Sequence, residues 1–245
     1  MSGEARYDQA ARGTRHARAA SVCVLAVLLA AMGGLFAEDI KDKDLKIGSE
    51  LPDFNLTDYE GKEHTLSRYR GKVVVLNFCS QECPWSRGVD LSLRVVAEEY
   101  AKRGVVFLGV DSHRDTPPNA IKEYALKTKL PYPIVKDERN VYADKVAATR
   151  SPEFFVLNKE GKLAYHGAYD DRRAPEKNGD ANYLTTAIDA VLAGEKVETP
   201  EVDAWGCSIK RVPKEPKREA PAKDAGSKSK GSGASSGGAG SGTRY

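Results

Sequence analysis

Two cysteines lie four positions apart in the stretch FCSQECPWS, residues 78–86. The stretch follows an apolar run at residues 73–76 and precedes a segment whose apolar residues recur at helical spacing. A sulfur at such a junction is a candidate nucleophile, because cysteine reacts with disulfides as a thiolate. The first question is therefore which of Cys79 and Cys83 the surrounding elements activate.

Cys83 is predicted to lie at the N-terminus of a helix. Pro84 suits the first helical position, since it has no amide hydrogen to leave unpaired and its φ is already helical. The free N–H groups and the positive end of the helix dipole favour a thiolate over a thiol. Arg87, one turn further on, adds positive charge. We therefore expect Cys83 to be a nucleophile and not an inert buried residue.

The elements that position this stretch follow an α/β order. The runs at 72–78 and 105–110 are too short and too β-branched for helices, so they are predicted to be buried strands. Residues 86–103 form an amphipathic helix that Gly104 ends. An N-terminal hairpin turns at Glu60-Gly61-Lys62. A helix after Pro117-Pro118, strands in EFFVLN and GKLAYHG and a last helix in ANYLTTAIDAVLAG complete an α/β sandwich with a mixed sheet.

The N-terminal segment 1–37 is predicted to be a signal peptide or an N-terminal membrane anchor. Basic residues precede an uncharged apolar stretch from Ala19 to Ala37, which is the pattern of an export signal. Its length approaches the roughly 20 residues needed to span a bilayer, so cleavage and anchoring both stay open. We expect an exported, extracytoplasmic protein, either periplasmic or membrane-anchored.

The C-terminal segment 213–245 is predicted to be a disordered tail rich in Lys, Gly and Ser, because it has too little apolar surface to offset its ordering entropy. This leaves residues 45–212 as one domain. The whole chain has 38 Lys and Arg against 35 Asp and Glu. This near balance gives no reason to expect nucleic acid as a partner.

The stretch VVVLNFCSQECPWS, together with ATRSPEFFVLNKEGKLAYHG, resembles the thioredoxin-fold redoxins. These include thioredoxin-like thiol-disulfide oxidoreductases and the related peroxiredoxins of the AhpC/TSA type. The resemblance covers about residues 45–211, and the lead-in LPDFNLTDYEGKEHTLSRYRGK is typical of the redoxin branch. It implies a thioredoxin-like three-layer sandwich with an N-terminal redoxin-type hairpin extension.

The resemblance assigns Cys83 as the first cysteine of the active-site motif, by counting from Phe78. The second cysteine of the usual Cys-x-x-Cys pair is here Ser86, so the motif is Cys-x-x-Ser. Such a site attacks a disulfide but lacks the usual neighbouring thiol that resolves the mixed disulfide. Either Cys79, Cys207 in AWGCSIKR, or an external thiol is left for that step.

Other site residues also follow from the resemblance. Pro152 occupies the position of the family's cis-proline, which faces the active-site cysteine, and Ser151 precedes it. Trp85, Ser86, Arg87 and Ser151 are the predicted substrate-binding residues. No residue pattern calls for a metal or another cofactor.

Alternative functions come from neighbouring patterns. The peroxiredoxin motif is Pro-x-x-x-Thr-x-x-Cys. Here Ser80 occupies the position of the threonine, but Leu76 occupies that of the proline. A thiol peroxidase is therefore the alternative function. CSQECP has the Cys-x-x-x-Cys-Pro spacing of the copper-delivery proteins, but its register relative to Phe78 differs from theirs. This sequence also has no residue that matches their distal histidine. A redox-silent binding module that holds a peptide at Trp85 and the Pro152 loop is the non-enzymatic alternative.

The sequence thus predicts an exported thiol-disulfide oxidoreductase in which the Cys83 thiolate attacks disulfides or oxidised thiols. Its expected partners are protein thiol or disulfide clients and an external reductant. His113 follows the strand at 105–110 and is expected to border the site, because loops at that sheet edge often carry functional residues.

Overall fold

The computed structural model describes residues 45–213. The predicted export segment 1–37 lies outside the described residues, as does all but the first residue of the predicted tail. Within residues 45–213, no helix combines the length and the apolar character that crossing a bilayer requires.

Nine strands and four α-helices make up this part of the chain. The strands are β1 (Asn55–Asp58), β2 (Glu63–Thr65), β3 (Val74–Phe78), β4 (Val106–Asp111), β5 (Ile134–Lys136), β6 (Arg150–Ser151), β7 (Glu153–Leu157), β8 (Leu163–Gly167) and β9 (Cys207–Ser208). The helices are α1 (Pro84–Lys102), α2 (Pro118–Thr128), α3 (Val141–Lys145) and α4 (Tyr183–Ala193). Short 3₁₀ segments occupy Leu66–Tyr69 and Glu138–Asn140.

Seven strands form one mixed sheet in the order β2-β1-β5-β4-β3-β7-β8. The central strands β3, β4 and β5 are parallel, while β7 and β8 on one side and β1 and β2 on the other pair antiparallel. The strands β6 and β9 form a separate two-stranded antiparallel sheet. The α/β class and the mixed sheet predicted from the sequence are confirmed.

Two apolar clusters sandwich the sheet. On one face α1 and α4 pack against it, with Val89 and Leu93 of α1 and Leu184 and Ile188 of α4 fully buried. On the other face Tyr142 of α3 joins a second cluster that includes Leu76 and Phe78 of β3. Alternate residues of β3 therefore point into opposite layers, which makes the strand wholly apolar in sequence apart from Asn77.

The predicted strands and long helices are found within a few residues of their expected bounds. The pieces that the sequence interpretation did not contain are β5, α3, β6 and β9, none longer than five residues. Elements this short carry too few residues for a periodic pattern to emerge. One of these omissions matters, because β6 and β9 join the region before Pro152 to the chain around Cys207.

Candidate active site

Cys83 is the residue that immediately precedes α1. Its φ and ψ of −84° and 118° are extended, and Pro84 occupies the first helical turn, as predicted. No side chain caps this helix end, and its first turn contains no acidic residue. The N–H groups of that turn therefore point toward the Cys83 end of the helix, and no carboxylate within the turn neutralises their positive field. Only 2% of Cys83 is exposed to solvent.

Cys207 forms a disulfide with Cys83, across 124 positions of sequence. The two Cα atoms are 6.0 Å apart, which is within the usual range for a bridge. The segment after α4 carries Cys207 to this place, where β9 pairs with β6 in the register Ser151↔Cys207 and Arg150↔Ser208. Of the two cysteines weighed as partners of Cys83, the structure brings Cys207 to it.

Pro152 follows a cis peptide bond, as the resemblance implied. The carbonyl oxygen of the preceding Ser151 lies 2.9 Å from Cys83 Sγ, so this loop covers the sulfur directly. Glu153 holds the loop in place, because its Oε2 accepts the N–H groups of Thr149 and Arg150 at 2.7 Å each. Its other oxygen lies 2.6 Å from His166 Nε2.

Gly206 explains how the segment comes so close to the proline loop. Its φ of +122° lies in a region that favours glycine. A Cβ at this position would clash with the carbonyl oxygen of Ser151. The residue directly before Cys207 therefore lets β9 approach β6 closely enough for the disulfide to form.

Cys79 is a free thiol and takes no part in the bridge. It packs with Ile121 and Ala125 of α2 and Ile134 of β5. Burial, and secondarily the nearby carboxylates of Asp111 and Asp90, raise the pKa of the Cys79 thiol well above its ordinary value. The structure therefore places Cys79 in a setting that disfavours the thiolate.

The residues predicted to bind substrate have different surroundings. Ser86 is buried and its hydroxyl accepts the N–H of Ser80 at 3.1 Å, so it stabilises the loop before the helix. Trp85 is half-buried, and its ring centroid lies 5.2 Å from that of Trp205. Arg87 is exposed on the opposite side of the helix turn, where it lines an open groove of about 530 Å³ with Asp90 and Tyr124.

The sequence interpretation missed the cluster that supports Trp205. The indole N–H of Trp205 donates to the carbonyl oxygen of Asp170 at 2.7 Å. Arg172 is buried, pairs with both oxygens of Asp170 at 2.8 and 2.9 Å, and lies over the Trp205 ring. The same guanidinium donates to the carbonyl oxygen of Gly88 on α1 at 2.9 Å. The run AWGCSIK was the available signal, because a tryptophan and a glycine directly precede the cysteine.

His113 borders the segment downstream of Cys207. Its Nδ1 accepts the backbone N–H of Lys210 at 3.4 Å, while burial, helped by the Lys210 charge, lowers the pKa of the imidazole. Lys210 also reaches Glu82 at 2.6 Å, one residue before Cys83. The position of His113 at this sheet edge is as expected, and the contacts make it a support for the segment.

Known proteins are similar to this chain in sequence and in fold. The model of the AhpC/TSA family matches residues 47–166. The thiol-disulfide oxidoreductase ResA of Geobacillus thermodenitrificans is 34% identical over 143 residues, which cover 57% of this chain and 80% of that protein.

Two solved structures are similar in fold. An uncharacterised conserved protein from Geobacillus kaustophilus has a TM-score of 0.66 at 27% identity, over 70% of this chain and 95% of that one. A candidate thiol:disulfide interchange protein DsbE from Chlorobium tepidum has a TM-score of 0.52 at 21% identity, over 60% and 99% of the two chains. The sandwich is therefore thioredoxin-like.

Proposed function

Because the chain belongs to the AhpC/TSA family and is a thiol-dependent oxidoreductase, we propose that Cys83 is its attacking sulfur and Cys207 the thiol that completes its cycle. The observation that carries the proposal is the Cys83–Cys207 disulfide at the uncapped N-terminus of α1. A helix N-terminus stabilises a thiolate, and a second cysteine in bonding distance supplies the step that the Cys-x-x-Ser motif lacks.

The cycle begins with both cysteines reduced. The Cys83 thiolate attacks one sulfur of a client disulfide, forms a mixed disulfide and expels the other client sulfur as a thiolate. Cys207, as its thiolate, then attacks the Cys83 sulfur, which releases the first client sulfur and forms the Cys83–Cys207 bridge. The client has gained two electrons and the protein has lost two. An external thiol reductant returns them, and the same steps run backwards when the client is the more reduced partner.

Three features support our proposal that the clients carry disulfides and lie outside the cytoplasm. The carbonyl oxygen of Ser151 lies 2.9 Å from the reactive sulfur, directly before the buried Pro152, so we place the passing client chain at this loop. The names of relatives such as ResA point to disulfides as substrates. The basic head and apolar stretch at residues 1–37 have the composition of an export signal, so we place the clients outside the cytoplasm, where disulfides persist.

Alkylation of the reduced chain tests the assignment of the nucleophile. At about pH 6 an ordinary thiol with a pKa near 8.5 is almost wholly protonated, so the thiolate at the helix end reacts first. We expect iodoacetamide to label Cys83 before Cys207 and well before Cys79, measured by peptide mass spectrometry over time. Labelling of Cys79 first would overturn the assignment.

Thiol peroxidase activity is the competing function. The rates at which the chain turns over a disulfide and a peroxide decide between disulfide exchange and peroxide reduction. Leu76 stands in the buried strand β3 where the peroxidatic pattern has a proline, so only the hydroxyl of Ser80 represents that pattern. We expect the reduced chain to consume a model disulfide faster than hydrogen peroxide at equal concentration. Fast peroxide consumption with slow disulfide exchange would favour the peroxidase instead.

A further inference from the structure

A groove between α1 and α2 begins beside the active site. Glu82, the residue directly before Cys83, lines one end of it, and Leu91 and Arg94 line it further along α1. The opposite wall, on α2, includes Tyr124 and Lys127. The groove holds about 530 Å³ and opens to solvent, so a chain bound at Cys83 has room to continue into it.

Three cationic side chains of the groove have no carboxylate partner. Arg87 and Lys127 are exposed and Arg94 is half-buried. In the part of the chain that the structure describes, none of the three forms a salt bridge. Even Glu98, four residues after Arg94 on α1, is not paired with it. The same holds for Glu123 and Lys127 on α2.

Two acidic residues also line the groove, but both have partners within the chain. Glu82 lies 2.6 Å from Lys210. Asp90 is buried, with 5% of its surface exposed, and its carboxylate accepts the hydroxyl of Tyr124. The charge left for a ligand is therefore positive and favours anionic groups. The segment 213–245 has seven Lys and Arg against three Asp and Glu, so the chain's own tail does not match this charge.

Exposed apolar side chains beside these cations favour a polypeptide over a small anion. Residues 45–213 expose four large apolar side chains, and three of them lie on the two helices of the groove, namely Leu91 and Val95 on α1 and Leu126 on α2. Leu91 itself lines the groove and is 70% exposed. A small anion leaves such a side chain in water, whereas a bound peptide buries it and gains the free energy of that burial.

We propose that this groove binds an acidic segment of the protein client, next to the cysteine that Cys83 attacks. The inference rests on the proposed function, because it requires a client disulfide at Cys83. Arg87 and Arg94 are seven residues apart on α1, which is about 10 Å along the helix axis. An extended chain covers that distance in about three residues. The segment therefore has two Asp or Glu about three residues apart, with an apolar residue between them that contacts Leu91.

The test measures single-turnover reduction of three peptide disulfides by the reduced, full-length chain. Each peptide has one cysteine joined to thionitrobenzoate, which leaves as a coloured thiolate when the Cys83 thiolate attacks the peptide sulfur. The peptides differ only at two positions three residues apart, which are both Asp, both Asn or both Lys. At low salt we expect the second-order rate constant of the Asp peptide to exceed that of the Asn peptide about tenfold, with the Lys peptide slowest. These differences should shrink as salt is added.

Charge reversal locates the preference. Arg94→Glu combined with Lys127→Glu is expected to bring the ratio of the Asp to the Asn rate constant to about one or below. The matched control combines Lys102→Glu with Lys122→Glu, which changes the net charge equally at exposed residues of the same two helices outside the groove. We expect this control to keep most of the ratio.

The outcomes separate this inference from the proposed function. Equal rate constants for the Asp and Asn peptides in the parent chain would overturn the inference and leave the proposed function intact. So would a preference that survives the change at Arg94 and Lys127, or one that both double variants lose equally. Failure of the reduced chain to react with any of the three peptides would overturn the proposed function itself.

Discussion

Cys79 and Cys83 are four residues apart in the same connection between β3 and α1, yet their surroundings have opposite effects on a thiolate. Both are buried, with 9% and 2% of their surface exposed, so exposure does not separate them. Cys79 lies among apolar side chains, and burial, followed by the nearby carboxylates of Asp111 and Asp90, raises the pKa of its thiol. Cys83 lies at an uncapped helix end and is bonded to Cys207.

Because burial acts on both thiols, we propose that the helix end at Cys83 is what separates their chemistry. A buried thiol next to Asp111 and Asp90 acts as a small apolar residue. A thiol of similar burial at the positive end of a helix dipole is the better nucleophile and the better leaving group. Four residues of sequence suffice for this change, because the chain turns from a strand into a helix between them.

Loss of each sulfur is the most severe test of this comparison. We expect Cys83→Ser to lower turnover of a model disulfide by at least about a thousandfold, because the nucleophile is gone. Cys79→Ala keeps an apolar side chain in an apolar setting and is expected to leave turnover unchanged within about twofold. Steady-state assays on both variants, with circular dichroism to verify folding, give the answer. Equal losses in the two variants would contradict the contrast drawn here.

Removal of the second sulfur has the next largest effect. With Cys207→Ser, the mixed disulfide on Cys83 has no internal thiol to release it, so client adducts accumulate and turnover falls about tenfold or more. Non-reducing gels of the chain with a client disulfide measure the adducts. Normal release in this variant would mean that an external thiol resolves the adduct.

Ser86→Cys in the Cys207→Ser background is the matched gain of function. The new thiol lies one helical turn beyond Cys83, where a Cys-x-x-Cys motif has its second sulfur. We expect it to shorten the life of the adduct and to restore part of the turnover. Since Ser86 is buried and accepts from Ser80 N–H, the rescue is expected to be incomplete.

Asp90 offers a test on the Cys79 side of the comparison. Burial raises the pKa of Asp90 from 3.8 to about 6, although the Tyr124 hydroxyl donates to its carboxylate. The folded chain therefore keeps a proton that the unfolded chain loses between about pH 4 and 6, so stability falls as pH rises through that window. The contribution is at most about 3 kcal/mol, from 1.4 kcal/mol for each unit of pKa shift.

Asp90→Asn removes this titration and one of the two charges that act on Cys79. We expect urea unfolding of the variant to depend less on pH between 4 and 6, and Cys79 to alkylate faster at high pH than in the parent chain. The rate at Cys83 is the internal control, because its thiolate depends on the helix end. An unchanged pH dependence of stability would show that Asp90 ionises normally in the folded chain.

The sequence was sufficient for the parts of the site that lie on long elements. β3 and α1 have strong periodic patterns, and between them they place Cys83 and Pro84 at a helix N-terminus. Pro152 was placed through a resemblance, because no local pattern of residues specifies a cis bond. The sequence did not decide whether Cys79, Cys207 or an external thiol is the partner of Cys83. Two-residue strands such as β6 and β9 are too short to show a periodic pattern, and a contact across 124 residues has no local signal.

Loss of the contact between Trp205 and Trp85 has the smallest expected effect, and it acts only on the Cys83 side of the comparison with Cys79. Trp205→Ala removes an aromatic pair worth about 0.5–1.5 kcal/mol and leaves the Asp170 carbonyl oxygen without its indole donor. The segment that holds Cys207 over Cys83 is then less firmly placed, so the bridge should become easier to reduce, by about three- to tenfold in its equilibrium with a dithiol. Trp205→Phe keeps a ring and loses only the hydrogen bond, so its shift should be smaller.

Titration of both variants with dithiothreitol, followed by thiol labelling, measures the two shifts, with Cys79 labelling as the reference that neither change should alter. Equal shifts in the two variants would assign the effect to the hydrogen bond, and no shift in either would show that β9 holds Cys207 without the tryptophan.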